Sequence, residues 1–256
     1  GITLGLIGSS YISFELGLGW RVTFMVYAIP TIVIGFLIYF LVKDGTQAQT
    51  VANAKTEAGS LASILEVLGN RQLATIFFIS FCSVYGFFVM VTWLPLYLAD
   101  ARNIPLSETG IFASLVAWTS VPAALGFARI SDKFHSRKPL LLTLIPLAIC
   151  SIVSLILVEE WNLVIASLVA YGLVGKLACD PLLLALISDH APKDKLSTVY
   201  GLYNCIAMVG AILAPYVTGW LRDSTTNWNS GFYFAAGLLV LGWLAALTLK
   251  SKPTVQ

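Results

Sequence analysis

Ala128-Arg129-Ile130-Ser131-Asp132-Lys133-Phe134-His135-Ser136-Arg137-Lys138-Pro139 is a short basic turn between two apolar runs, and the reading of this stretch decides the fold. The run before it covers about 107–128 and the run after it about 138–158. Each is close to the roughly 20 mainly apolar residues that carry an α-helix across the hydrocarbon of a bilayer. Such a run must be helical there, because backbone N–H and C=O groups left unpaired in hydrocarbon are too costly. The turn is therefore a loop between two membrane helices.

Outward from that turn the same pattern repeats. Apolar runs at about 1–18, 21–42, 71–99, 161–187, 196–221 and 230–250 complete a set of one shortened and seven full-length helices. Composition agrees: 58% of residues are hydrophobic and 11% charged, with a mean hydropathy of +0.85, whereas a soluble domain is about 25% charged. The partner this surface calls for is the lipid bilayer. A formal net charge of +2 gives no basis for nucleic-acid binding.

The placement of charge says more than its sum. Numbered alternately, the loops on one side hold Lys43, Lys55, Arg71, Arg129, Lys133, Arg137, Lys138, Lys193, Lys195, Lys250 and Lys252, and those on the other only Arg21, Arg102 and Arg222. The excess of lysine and arginine predicts that the first side is cytoplasmic, which places the C-terminus in the cytoplasm of a multi-pass plasma (inner) membrane protein. Trp20, Trp93, Trp161, Trp220 and Trp228 fall near the opposite helix ends, as an aromatic belt would.

Residues 43–70 form the one long connection, rich in small and polar residues, and read as a cytoplasmic linker between two groups of helices. Its end, Ser60 to Leu68, has a helical apolar stripe that predicts a short interfacial helix stopped by Gly69-Asn70. The chain opens within an apolar run, without an initiator methionine or basic leader, which predicts a fragment of a longer protein. Cys82, Cys150, Cys179 and Cys205 lie in apolar stretches without metal-ligand spacing and read as packing residues. No metal is implied.

The turn around Asp132 resembles the second copy of the loop signature of the major facilitator superfamily, G-x-L-a-D-r-x-G-r-k. Asp132, Lys133, Arg137 and Lys138 match it, while Ala128 and His135 stand where its glycines are expected. Gly19-Trp20-Arg21 after the first helix, the long linker after the second and the six helices beyond extend the likeness over nearly the whole chain. The resemblance implies an all-α major facilitator fold. Residues 1–42 would be the last two helices of the N-terminal bundle, 43–70 the central linker, 71–250 the six-helix C-terminal bundle and 251–256 a cytoplasmic tail. It also implies a substrate bound between two bundles near the membrane midplane, alternating access, a partner in the preceding bundle of the same protein, and a gating network closed by Asp132, Lys133, Arg137 and Lys138.

Within that superfamily, Phe88 to Leu98, Gly201-Leu202-Tyr203-Asn204 and Ala214-Pro215 are similar to the anion:cation symporter family, whose members mostly move organic anions such as sugar acids with protons or sodium. Gly1, Gly5 and Gly8 keep the glycines of the antiporter motif, but Leu6 replaces its proline, which favours symport.

Candidate chemistry concentrates in Gly175-Lys176-Leu177-Ala178-Cys179-Asp180-Pro181, near the centre of the run 161–187. A charge at a helix centre costs about 2.5–3.5 kcal/mol on insertion scales, so such residues face a cavity or a partner. Four residues turn a helix by about 400°, which puts Lys176 and Asp180 on one face. Pro181 removes the donor to the Leu177 carbonyl, predicting a kink beside them. On this reading Lys176 attracts a carboxylate or phosphate of the substrate, and Asp180 titrates or holds Lys176 between substrates. The alternative is a structural ion pair.

Tyr85, Asn204 and Trp118 offer further substrate contacts, by hydrogen bonding or stacking, with helix-to-helix packing as the alternative for each. Asn204 also matches the family's asparagine in that helix. Glu15 near a helix end is a weaker candidate for a gating or proton role. Ser188-Asp189-His190 has the residue types of a hydrolytic triad, but neighbours in a basic turn do not adopt triad geometry. With both histidines in turns and no nucleotide-binding loop, neither an enzyme nor a nucleotide-driven pump is supported, and no cofactor is implied. A major facilitator transporter of neutral sugars or drugs, and a non-transporting receptor or scaffold, remain as other readings.

Overall fold

A computed structural model describes residues 2–42, 61–134 and 137–250. Most of the expected linker (43–60), His135 and the tail 251–256 lie outside the described residues. In chain order the elements are α1 (Ile2–Ser10), which runs into a π-helical turn (Tyr11–Glu15), α2 (Gly19–Leu41), α3 (Leu61–Gly69), α4 (Arg71–Arg102), α5 (Leu106–Phe134), α6 (Lys138–Leu157), α7 (Trp161–Val174), α8 (Lys176–His190), a 3-10 turn (Lys193–Lys195), α9 (Leu196–Thr225) and α10 (Asn229–Leu247). Among the described residues seven stretches are long and apolar enough to cross a membrane, counting Trp161–His190 as one. They coincide with the seven complete helices that the sequence predicts, and the chain is an all-α, multi-pass membrane protein.

α4 is the centre of the bundle. α9 and α10 pack along it, and α5 and α8 also lie against it. Around this axis sit Phe77, Tyr85, Tyr171 and Phe232, all at most 2% exposed. Tyr97 of α4 meets Phe232 of α10 edge-on at 5.0 Å. α4 owes its start to Asn70, whose side chain accepts from the backbone N–H of Gln72 at 3.0 Å and of Leu73 at 3.4 Å. Gly69-Asn70 thus does more than stop α3: the extended backbone of Asn70 caps the next helix.

The small residues of α9 let it pack closely on its neighbours, with one exception. Ala207, Gly210, Ala211 and Ala214 are buried, and a Cβ on Gly210 would come within 2.8 Å of the Phe81 carbonyl oxygen of α4. Gly201 is instead exposed, with nothing within 4 Å of where its Cβ would be. The cysteines divide likewise: Cys82 and Cys179 are packed in the bundle, while Cys150 and Cys205 lie on its surface. Sequence could not separate them, because a face turned to lipid is as apolar as one turned to the core.

α1 lies along α5, and the approach is close at one point. A Cβ on Gly110 would sit 2.4 Å from the Leu6 carbonyl oxygen and 2.2 Å from Ser10 Oγ, so only glycine lets the two helices meet there. Beside that contact Ser9, Ser10, Ser13, Thr92 and Thr109 line a cleft of about 260 Å³ between the π-helical turn, α4 and α5. α2 is held to α1 by the Tyr27 hydroxyl, which donates to the carbonyls of Leu4 at 2.9 Å and Gly5 at 3.2 Å.

Candidate functional site

The run expected to be one kinked span is two helices. α7 ends at Val174, Gly175 is extended (φ −75°, ψ −162°), and α8 begins at Lys176. The break therefore precedes Pro181 by six residues, and the proline sits inside α8. Glycine is required at this point: a Cβ on residue 175 would lie 2.5 Å from the Tyr171 carbonyl oxygen and 3.2 Å from its ring, which is itself buried. With 14 residues in α7 and 15 in α8, each half is about 21–23 Å long, so the break falls near the middle of the span.

Lys176 and Asp180 form an ion pair on one face of α8, with side chains 19% and 25% exposed. The expected juxtaposition is present. A third group joins it: the Tyr203 hydroxyl of α9 donates to Asp180 Oδ1 at 3.3 Å. The Lys176 ammonium also lies 5.8 Å from the centroid of the Phe87 ring of α4, within reach of a cation–π attraction. On its inner side Lys176 borders a small cavity of about 10 Å³ shared with Ser83, Tyr171 and Leu239. Chemically this is a partly accessible cation at the N-terminus of a half-helix, where free backbone N–H groups add positive potential. A carboxylate one turn away holds it.

The other candidates are dispersed. Tyr85 is 1% exposed, its hydroxyl has no hydrogen-bond partner among the described residues, and its ring packs at 5.7 Å on Phe234 of α10, inside the bundle. Trp118 on α5 is 58% exposed, and Asn204, next to the buried Tyr203, is exposed on α9. Neither touches the ion pair directly. Glu15 ends the π-helical turn and is exposed.

Ser188, Asp189 and His190 engage three separate partners. Ser188 pairs with the Tyr200 hydroxyl at 2.7 Å, Asp189 with Arg137, and His190 Nδ1 with the Leu186 carbonyl at 2.9 Å. Among the described residues no cluster of histidine, cysteine, aspartate and glutamate could hold a metal ion.

With this arrangement in view, the chain was compared with known proteins. The family described as Major Facilitator Superfamily matches residues 1–204 and again 76–256. The chain belongs to that superfamily. A probable galactarate/D-glucarate transporter of Bacillus subtilis is 26% identical over 73% of this chain and 42% of its own length. A hexuronate transporter of the same organism is 25% identical over 89% of this chain and 57% of its own. A D-xylose transporter of Levilactobacillus brevis is 30% identical over 62% of this chain and 34% of its own. The chain spans about half the length or less of these relatives.

In this major facilitator chain the loop that suggested the family is partly committed to its own bundle. Arg137 donates to the Ala185 carbonyl and to Asp189 of α8. Lys138 donates to the carbonyls of Leu247 at 2.8 Å and Leu249 at 2.6 Å, neutralising the C-terminal end of α10. Asp132 and Lys133 at the end of α5 are exposed. Sequence reasoning missed Tyr203, Phe87 and the partner of Arg137. A legible signal existed for the first alone, since Tyr203 lies inside Gly201-Leu202-Tyr203-Asn204.

Proposed function

We propose that this chain is the C-terminal part of a secondary active transporter that moves a small organic anion, a sugar acid or related carboxylate, by alternating access. The observation that carries the proposal is the Lys176–Asp180 pair beside the mid-span break at Gly175. A lysine held there by an internal carboxylate can exchange that partner for the carboxylate of a substrate, and Asp180 would then be the ion-coupling group. Coupling would be to protons or sodium in symport. Two of the relatives are named for organic acids, hexuronate and galactarate or glucarate, which suits a cationic site.

In this reading residues 1–42 end an N-terminal bundle, 43–70 link it to the bundle of 71–250, and 251–256 form a tail. The preceding bundle supplies the other wall of the cavity. The basic turns and the C-terminus face the cytoplasm from the plasma (inner) membrane, as the excess of lysine and arginine directs. The exposed Asn204 and Trp118 would meet the substrate or the opposite bundle, with Tyr85 shaping the wall behind them. Asp132 and Lys133 would gate against the facing half, while Arg137 and Lys138 hold their turn in place.

The test is uptake and binding of D-glucarate and a hexuronate by the full-length protein in proteoliposomes, for wild type, Lys176→Ala and Asp180→Asn. Lys176→Ala is expected to abolish anion binding, and Asp180→Asn to bind the anion but lose the coupled rate. Wild-type transport by both, at normal expression, would remove the pair from the mechanism. The D-xylose relative favours a second reading, a neutral sugar as substrate. Uptake of D-xylose that survives Lys176→Ala would select it.

A further inference from the structure

The two oxygens of the Asp180 carboxylate serve different partners. Oδ2 takes the ammonium of Lys176 on the same helix, and Oδ1 accepts the Tyr203 hydroxyl from α9. The bonds differ in how readily they yield. Lys176 ends a flexible four-carbon stem and is partly accessible. Tyr203 is 5% exposed and belongs to the core of the bundle, so the packing of its ring fixes where the hydroxyl lies. α8 and α9 touch little. A further polar tie between them lies one turn along α9, where the Tyr200 hydroxyl meets Ser188 and the Leu184 carbonyl.

We propose that Tyr203 is a positioning residue of the anion site: its hydroxyl holds the Asp180 carboxylate when a bound anion draws Lys176 away. The inference rests on Lys176 as the anion receptor. An arriving carboxylate competes with Asp180 for one ammonium, and without a second donor each binding event would strand a partly buried carboxylate, which opposes binding. A hydroxyl already in place on Oδ1 removes that opposition. It strengthens as Lys176 departs, because the carboxylate charge is then shared with fewer donors. The same bond couples occupancy at α8 to α9. Tyr203 therefore contributes more to the occupied state than to the empty one, and its loss must appear in affinity.

Tyr203→Phe keeps the ring and removes the single hydroxyl. The full-length protein in proteoliposomes is assayed with radiolabelled D-glucarate and a radiolabelled hexuronate, using whichever is taken up faster. Kd on purified protein is measured beside KM, so that a variant with slow transport still reports. KM and Kd are expected to rise about tenfold, the scale of one hydrogen bond to a charged group, with the maximal rate nearly unchanged. In an Asp180→Asn background the same substitution is expected to have little effect, since the two residues act as one unit.

An unchanged Kd in Tyr203→Phe, with binding lost in Lys176→Ala, would overturn the inference and leave the anion site standing. An equal rise in both backgrounds would overturn it as well, as would a lowered unfolding temperature with Kd intact, which marks a packing role. Wild-type binding in Lys176→Ala would overturn the underlying reading and this one with it.

Discussion

Gly110→Ala adds one methyl group where α1 and α5 approach closely. The new Cβ would lie 2.4 Å from the Leu6 carbonyl oxygen, against 3.4 Å or more for ordinary contact, so the helices must separate by about 1 Å. The obstructing atom belongs to the backbone, so no side-chain rotation relieves it. Overpacking of this kind costs about 1–3 kcal/mol. The gain of roughly 1 kcal/mol from placing alanine for glycine in a helix applies whether or not α1 and α5 touch, and cancels from their equilibrium. The balance between touching and separated arrangements should therefore move about 5- to 150-fold toward separation.

The cleft beside this contact provides the readout. Thr92 lines it from α4, and a Thr92→Cys probe, with the exposed Cys150 and Cys205 replaced by serine, reports access to a membrane-impermeant maleimide. In the full-length protein Gly110→Ala is expected to raise the labelling rate at Thr92→Cys at least fivefold, the lower bound of that shift, and to slow net uptake. Labelling and uptake both at the parent rate would refute the reasoning, because they would show that α1 and α5 need not separate to admit the methyl group.

Two further substitutions test the local readings. Gly175→Ala drives a Cβ against the Tyr171 carbonyl and its buried ring and should destabilise the protein by about 1–3 kcal/mol, seen as a lower unfolding temperature in detergent. A wild-type temperature would mean that the break does not depend on glycine. Asn70→Ala removes the acceptor for two backbone N–H groups at the start of α4 and should cost about 1 kcal/mol. Asn70→Asp and Asn70→Ser should restore most of it, and the three are compared by chemical denaturation.

How much of this was legible in the sequence depended on whether one helix or several decided the matter. The seven complete spans followed from run length alone, and the Lys176–Asp180 pair followed from a spacing of four within one helix. The break at Gly175 did not, because Pro181 is the louder signal in the string. What reserves the break for glycine is the nearness of the Tyr171 carbonyl and ring, and their approach can be seen only in three dimensions. Arg137 reads as a loop cation, and its hold on Asp189 of α8 spans 52 residues. Tyr203 was hidden by its neighbour for a similar reason: Asn204 is the more polar residue, yet it is exposed, and the less conspicuous tyrosine reaches Asp180.

The interruption at Gly175 also governs how torsion travels. In an unbroken helix a rotation applied at one end is handed from turn to turn by the hydrogen-bond ladder and arrives at the other. Here α8 is gripped near its far end by Arg137, and the extended residue ahead of Lys176 is where a roll imposed there would be taken up by backbone torsion. α7 is packed between α5 and α6, which would hold it against such a roll. The chain from Trp161 to His190 is thus one membrane span built as two shafts joined end to end.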